Sequence, residues 1–293
     1  MKFLTYRYDD KEQIGVLNLE ETAVIPLSVC QIPHLSMNAF LENVTEEMLS
    51  KIEEERKHPS QEIFLERITK CPPIPSPKQD VICLGINYMA HAVESARYKE
   101  EAFGGERPYA VYFSKRVNRA VADGEEIDGH FDIVDSLDYE VELAVVIGKD
   151  AKNVSKEEAF DYVFGYTILN DISARNLQTA HKQWYFGKSL DGFTPMGPWI
   201  VTKDEFQNPP ALGIRSYVNG ELRQNSTTDL LIFDIAHVIS ELSQGMTLQA
   251  GTIIAMGTPA GVGMGFVPPN FLKKGDTIRC EIEGIGSLVN IVK

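Results

Sequence analysis

No C-x-x-C pair occurs in this chain, and its four cysteines, Cys30, Cys71, Cys83 and Cys280, are widely scattered. That spacing suggests neither a zinc site nor a disulfide framework, and it fits a reduced, cytoplasmic setting. No apolar run approaches the length of a membrane span, and charges interrupt MKFLTYRYDD too early for a signal-peptide core. Positive charge is scarce: 28 Lys and Arg stand against 42 Asp and Glu, a formal net charge of −14. Such a balance disfavours nucleic acid and anionic membrane surfaces as partners. A small anionic substrate remains compatible, provided a bound metal or a few Lys or Arg supply local positive charge. Repeats and low-complexity stretches are also lacking.

What is present is ordinary in bulk, with 43% hydrophobic residues over 293 positions, enough for one large domain or for a small one plus a larger one. Residues 1–35 read as short strands, and residues 36–58 as helix, with Thr45 as a cap, Glu46 and Glu47 in the first turn and Pro59 as the stop. CPPIPSPKQD, residues 71–80, is the best boundary, because proline continues neither a helix nor a strand ladder. This predicts a small N-terminal α+β domain (1–70), a proline-rich linker (71–80) and a larger domain (81–293). The larger part is strand-rich with few helices: one over AHAVESARYKEEAF, one over 156–162 opened by a Ser155/Glu158 capping box, and one over FDIAHVISELSQG. Many strands with non-alternating helices indicate an α+β, β-rich fold with a mixed sheet, not a doubly wound one.

LDYEVELAVVIG, residues 137–148, reads as one buried strand, with Asp138, Glu140 and Glu142 at alternate positions and so on one face. Like charges about 7 Å apart raise one another's pKa unless a cation or hydrogen bonds compensate. A hard divalent cation is the simplest compensation; a solvated acidic edge is the alternative. Asp171, at the end of VFGYTILN, can complete a three-carboxylate site with Glu140 and Glu142, or can act as a turn or cap residue. His91 and Glu94 fall at i and i+3 of a helix, where a carboxylate fixes an imidazole as a general base, or where the two form a plain surface pair. Lys188, among apolar and glycine residues, suits a substrate carboxylate or a developing oxyanion, or snorkels to solvent. The glycines of MGTPAGVGMG let backbone approach a ligand, with Thr258 offering a hydroxyl, yet no G-K-[ST] follows to make a phosphate loop.

In order, the chain carries N-Y-x-x-H-x-x-E, D-Y-E-x-E-L-A-V-V-I-G, N-D-x-[ST]-A-R, G-K-S-x-D-x-F-x-P-x-G-P and G-T-P-x-G-V-G over residues 85–265. In this it resembles the fumarylacetoacetate hydrolase family. The resemblance implies a mixed β-sheet roll, a homodimer, and Mg²⁺ or Mn²⁺ held by Glu140, Glu142 and Asp171, with Asp138 behind them. It implies His91 and Glu94 as the acid/base pair, Lys188 as a catalytic and substrate-contacting group, and Thr258, Arg175 and Gln178 near the substrate. It also implies a 2-oxo acid substrate. The reaction it points to first is hydrolysis of a carbon–carbon bond in a 2,4-dioxo (acylpyruvate-type) acid through a metal-stabilised enolate. Oxaloacetate decarboxylation, isomerisation of a 2-hydroxyhepta-2,4-diene-1,7-dioate type of acid, and a catalytically silent 2-oxo-acid-binding homologue are the alternatives. Three positions depart from the family pattern: Arg116 for proline, Asn176 for an acid and Gly192 for threonine.

Overall fold

The computed structural model describes residues 1–32, 36–98 and 109–293. The first 70 residues give strands β1 (Lys2–Tyr8), β2 (Lys11–Leu17) and β3 (Ala23–Pro26), helices α1 (Met37–Asn43) and α2 (Glu46–Lys57), and short strands β4 (Ile63–Phe64) and β5 (Thr69–Lys70). Then follow β6 (Val81–Gly85), α3 (Met89–Tyr98), β7 (Val111–Lys115), β8 (Glu126–Ile127), β9 (Leu137–Asp138), β10 (Val141–Ile147), β11 (Val163–Asn170), β12 (Ser173–Ala174), α4 (Arg175–Ala180) and the single turn α5 (Tyr185–Lys188). The chain closes with β13 (Met196–Thr202), β14 (Gly213–Val218), β15 (Glu221–Thr227), α6 (Ile235–Gly245), β16 (Ile253–Ala255), β17 (Thr277–Ile282) and β18 (Gly286–Val292).

One large sheet runs β4-β3-β2-β1-β13-β11-β10-β16-β6-β7, with β5 on β1; a five-stranded sheet runs β15-β14-β17-β18-β8. Both are mixed: β16 pairs parallel to β6 and β18 parallel to β8, while their other partners are antiparallel. The α+β, strand-rich fold expected from the sequence is therefore present. The central strands are buried on both faces, which explains their unbroken apolar runs. Leu143, Val145 and Ile147 of β10 join the core shared with the alternating inner residues of β14 and β17 (Ile214, Val218, Ile278, Cys280, Ile282). Ala144 and Val146 face the opposite core, formed with α1 and β1, where the rings of Phe3, Phe40 and Phe164 meet at centroid distances of 5.2–6.1 Å. β1 pairs directly with β13, so the large sheet continues through strands from both sides of the proline-rich segment. That segment is itself anchored: Ile74 is buried, and the Thr5 hydroxyl donates to Pro73 O at 2.7 Å.

Several expected elements differ in detail. The run 137–148 is two strands, β9 on β12 and β10 on β11, not one. Side chains take the intervening backbone donors: Tyr139 N–H goes to Asp138 Oδ1 (2.9 Å) and Glu140 N–H to Asn170 Oδ1 (3.0 Å), so no ladder forms there. The helical stretch 36–58 breaks at Val44, whose extended backbone ends α1, and Thr45 Oγ1 then caps α2 by accepting from Met48 N–H. At 155–162 the Ser155/Glu158 box forms, but it opens only a 3₁₀ turn, Ala159–Tyr162. The helix expected over 90–103 is seen as α3; its remainder lies outside the described residues.

Candidate active site

The antiparallel register of β10 and β11 sets Val141 opposite Asn170, which brings the first residues of one strand beside the end of the other. Asp171 N–H donates to Glu140 O at 2.8 Å. As a result Glu140, Glu142 and Asp171, all buried, offer carboxylate oxygens that lie within 4.8 Å of one another. Three cations surround them. Lys188 Nζ is 2.7 Å from both Glu140 Oε2 and Asp171 Oδ2. Lys115, with no solvent exposure, pairs with Asp171 Oδ1 and donates to Ile172 O at 3.1 Å. Arg175 Nη2 lies 2.7 Å from Glu140 Oε1, and its Nε donates to Asp138 Oδ2 at 2.9 Å.

The carboxylates are electrostatically unequal. Burial pushes Glu140 up, but Lys188 and Arg175 outweigh it and hold the group below the usual carboxylate range. Glu142 goes the other way: burial, then Asp171, then Glu140 drive its carboxyl well above that range. Gly257 N–H donates to Glu142 at 2.8 Å, but among the described residues no Lys or Arg pairs with it. Burial opposes the charge of Lys188, yet Asp171 and Glu140 raise its pKa overall. An all-oxygen trio in which one carboxylate has no directly paired Lys or Arg among the described residues is a donor set that could hold a hard divalent cation.

A helix supplies the second component. Asn87 anchors its entry: its side-chain amide donates to Met256 O (2.8 Å) and Phe233 O (3.0 Å), and accepts from Phe233 N–H (2.8 Å). Ile86, a β-branched residue held at φ +56°, carries the backbone strain of that turn. Three residues apart on α3, His91 Nδ1 meets Glu94 Oε2 at 2.9 Å. Glu94 Oε1 accepts from Gly261 N–H at 2.9 Å. A carboxylate partner fixes the proton on Nδ1 and leaves the Nε2 lone pair as the base.

Of the expected site residues, all but Glu94 and Asp171 line one cavity of about 550 Å³, mouth included. Those two stand in contact behind His91 and Lys188. Gln178 Oε1 accepts from Arg175 Nη1 at 3.1 Å, so both enter as one unit. Thr258 turns its hydroxyl proton to Val141 O (2.9 Å) and accepts from Gln224 Nε2 (2.6 Å); it shapes the wall with a hydroxyl already engaged. Sequence reasoning missed Lys115 and Gln224 as site supports. A lysine closing the apolar strand VYFSK was the available signal for Lys115; nothing in ELRQNST marks Gln224. The three departing positions, Arg116, Asn176 and Gly192, do not line the cavity. Gly192 sits at φ +84°, where threonine would be strained.

Residues 80–293 match the sequence profile of the fumarylacetoacetate (FAA) hydrolase C-terminal family. The chain belongs to the fumarylacetoacetate hydrolase family. One relative, oxaloacetate tautomerase YisK of Bacillus subtilis (strain 168), is 50% identical over 218 residues, 74% of this chain and 71% of that protein. Among solved structures, fumarylacetoacetate hydrolase from psychrophilic Exiguobacterium antarcticum aligns over 100% of this chain and 99% of its own, with 37% identity and a TM-score of 0.83. Maleylpyruvate hydrolase from Sphingobium sp. SYK-6, in complex with manganese(II) and pyruvate, aligns over 100% and 98%, with 28% identity and a TM-score of 0.79. These relatives are named as enzymes, a tautomerase and two hydrolases. Among the described residues no helix is long and apolar enough to cross a membrane.

Proposed function

We propose that this protein is a divalent-cation-dependent enzyme of small 2-oxo acids whose principal reaction is enol–keto proton transfer on an oxaloacetate-type acid. One observation carries the reading. His91, oriented through Nδ1 by Glu94, lines the same cavity as the buried carboxylates Glu140 and Glu142. The relative at 50% identity, named for oxaloacetate tautomerisation, favours this over the other reactions of the family. Mg²⁺ or Mn²⁺, held by Glu140, Glu142 and Asp171, would supply Lewis acidity to the substrate's carboxylate and 2-oxo oxygens. His91 Nε2 takes the proton from the carbon next to the oxo group, and Glu94 stabilises the imidazolium that forms. The 2-oxo oxygen gains a proton as that carbon loses one, so the acid is isomerised with no net loss. Lys188 and Arg175 offset the negative charge that develops on oxygen between the two transfers.

Carbon–carbon hydrolysis is the second reading, supported by the structural neighbour named maleylpyruvate hydrolase. It needs the same His91 to activate a water. The test is to give the purified protein Mg²⁺ with freshly dissolved enol-oxaloacetate, and separately with acetylpyruvate, following the enol absorbance and products by proton NMR. Chelator-sensitive acceleration of enol loss, without acetate from acetylpyruvate at a similar rate, is expected. Faster formation of acetate and pyruvate would replace the first reading with hydrolysis. Pyruvate from oxaloacetate as the leading product would replace it with decarboxylation, and no catalysis at all would favour a binding homologue. The homodimer expected from the resemblance belongs to the same proposal, and light scattering checks it.

A further inference from the structure

Asp138 shares the alternating pattern of Glu140 and Glu142 but not their surroundings. It is fully buried, and its two oxygens accept four hydrogen bonds. Oδ1 takes Gly263 N–H at 2.6 Å and Tyr139 N–H at 2.9 Å; Oδ2 takes Met264 N–H at 3.0 Å and Arg175 Nε–H at 2.9 Å. Four donors use the acceptor capacity of a carboxylate, so Asp138 has none to offer a cation. Two of the four come from the loop 261–265, at Gly263 N–H and Met264 N–H.

Glu94 grips that same loop from the helix side. Its Oε1 takes Gly261 N–H at 2.9 Å, and it packs so close to Gly265 that a Cβ there would overlap the carboxylate. At Gly263, a Cβ would fall 2.6 Å from Asp138 Oδ1. Tyr139 adds a third hold, its hydroxyl donating to Gly261 O at 2.9 Å. Two carboxylates from different elements therefore clasp one five-residue loop, and the glycines are where they press in. Glu94 is a flexible side chain with one backbone donor to fix it, and that donor is only as well placed as the loop.

We propose that Asp138 is a positioning residue: by fixing the 261–265 loop it holds Glu94 on His91, and so sets the tautomer of the imidazole. The proposal rests on the acid–base role given above to His91. Its test is nitrogen NMR of the His91 ring, which separates Nδ1–H from Nε2–H, in the wild type, Glu94→Ala, Asp138→Asn, Gly263→Ala and the double variant Glu94→Ala/Asp138→Asn. The wild type is expected as the Nδ1–H form, and Glu94→Ala as a mixture. Asp138→Asn and Gly263→Ala should give the same mixture, and the double variant no more than Glu94→Ala alone. In parallel, kcat for enol-oxaloacetate should fall roughly 10- to 100-fold in Asp138→Asn with KM little changed, and should fall no further in the double variant than in Glu94→Ala. A wild-type tautomer in Asp138→Asn with only a lowered Tm would overturn the proposal, because a structural role alone predicts that. So would losses that add in the double variant. Should Asp138→Asn not fold, Gly263→Ala decides, since its Cβ would press on both Asp138 Oδ1 and Asn270 O, each 2.6 Å away, and so disturb the clasped loop without changing charge. An inactive wild type would refute the oxaloacetate reading, while the tautomer comparison would still decide the role of Asp138.

Discussion

The floor of the cavity and its helical wall are built on opposite plans. The floor comes from strand ends and places Glu140, Glu142 and Asp171 among Lys115, Lys188 and Arg175, with every one of these groups buried. The wall comes from α3, and its chemistry rests on the contact between His91 and Glu94, with Glu94 held in turn by Gly261 N–H. In the floor, removing one charge strands another in a medium that cannot solvate it, so chemistry and stability are inseparable. In the wall, among the described residues neither His91 nor Glu94 is hydrogen-bonded or ion-paired to a floor carboxylate, so chemistry is expected to separate from stability. A set of substitutions can test how far that contrast reaches.

The largest effect is expected at Asp171, which pairs with both lysines. Asp171→Ala should abolish activity and divalent-cation binding and destabilise the fold by about 3–5 kcal/mol, because two ammonium groups lose a buried partner. Urea denaturation and a Mn²⁺ titration measure the two losses. A variant that binds no cation yet unfolds at the wild-type midpoint would show that the floor's charges are not structural, and the contrast would fail.

His91→Asn probes the other side. Loss of the general base should lower kcat roughly 10²- to 10⁴-fold. Stability should change by no more than about 1 kcal/mol, and Mn²⁺ affinity should be preserved. Destabilisation matching that of Asp171→Ala would mean that the wall is as structural as the floor.

The same contrast explains what could be read from the sequence. Glu140 and Glu142 were legible because carboxylates opening an apolar strand demand a reason, and His91 and Glu94 because helical spacing alone makes them meet. Lys115 was not legible as a site group: its partner Asp171 is 56 residues away, and only the pairing of the sheet brings them together. The break between β9 and β10 was hidden for a related cause, since the Asn170 side chain that takes the Glu140 N–H comes from another strand. Thr258 stood out as a hydroxyl in a glycine-rich turn, but only the fold reveals that Val141 O and Gln224 already engage it.

Gln224 sharpens the comparison from beneath the floor. It is fully buried and contacts Thr258 Oγ1, Pro259 O, Val141 N–H and the Ser216 hydroxyl. Gln224→Leu keeps much of the volume but takes the side-chain partner from Pro259 O, Val141 N–H and the Ser216 hydroxyl, while Thr258 keeps its bond to Val141 O; this costs about 1–3 kcal/mol. Calorimetry should show that loss with a smaller fall in kcat than His91→Asn, because no ligand or base is touched. A fall as large as that of His91→Asn would mean that the hydroxyl of Thr258 is placed for the substrate and not only for the wall.

The smallest effect is expected far from the cavity. Thr45 Oγ1 accepts from Met48 N–H at 3.2 Å and so satisfies one of the free donors at the start of α2. Thr45→Ala should cost about 1 kcal/mol. α2 contributes Ile52 to the core that also holds Ala144 and Val146 of β10, so the loss should appear in global unfolding and not only in local fraying. Activity and Mn²⁺ affinity should stay at wild-type values, because β10 carries Glu142 on a strand hydrogen-bonded on both sides and does not depend on one helix cap for its position. A change in cation affinity from this substitution would mean that packing from the first 70 residues tunes the carboxylate floor, and that the floor's geometry is set from behind the sheet as well as by the lysines and arginine beside it.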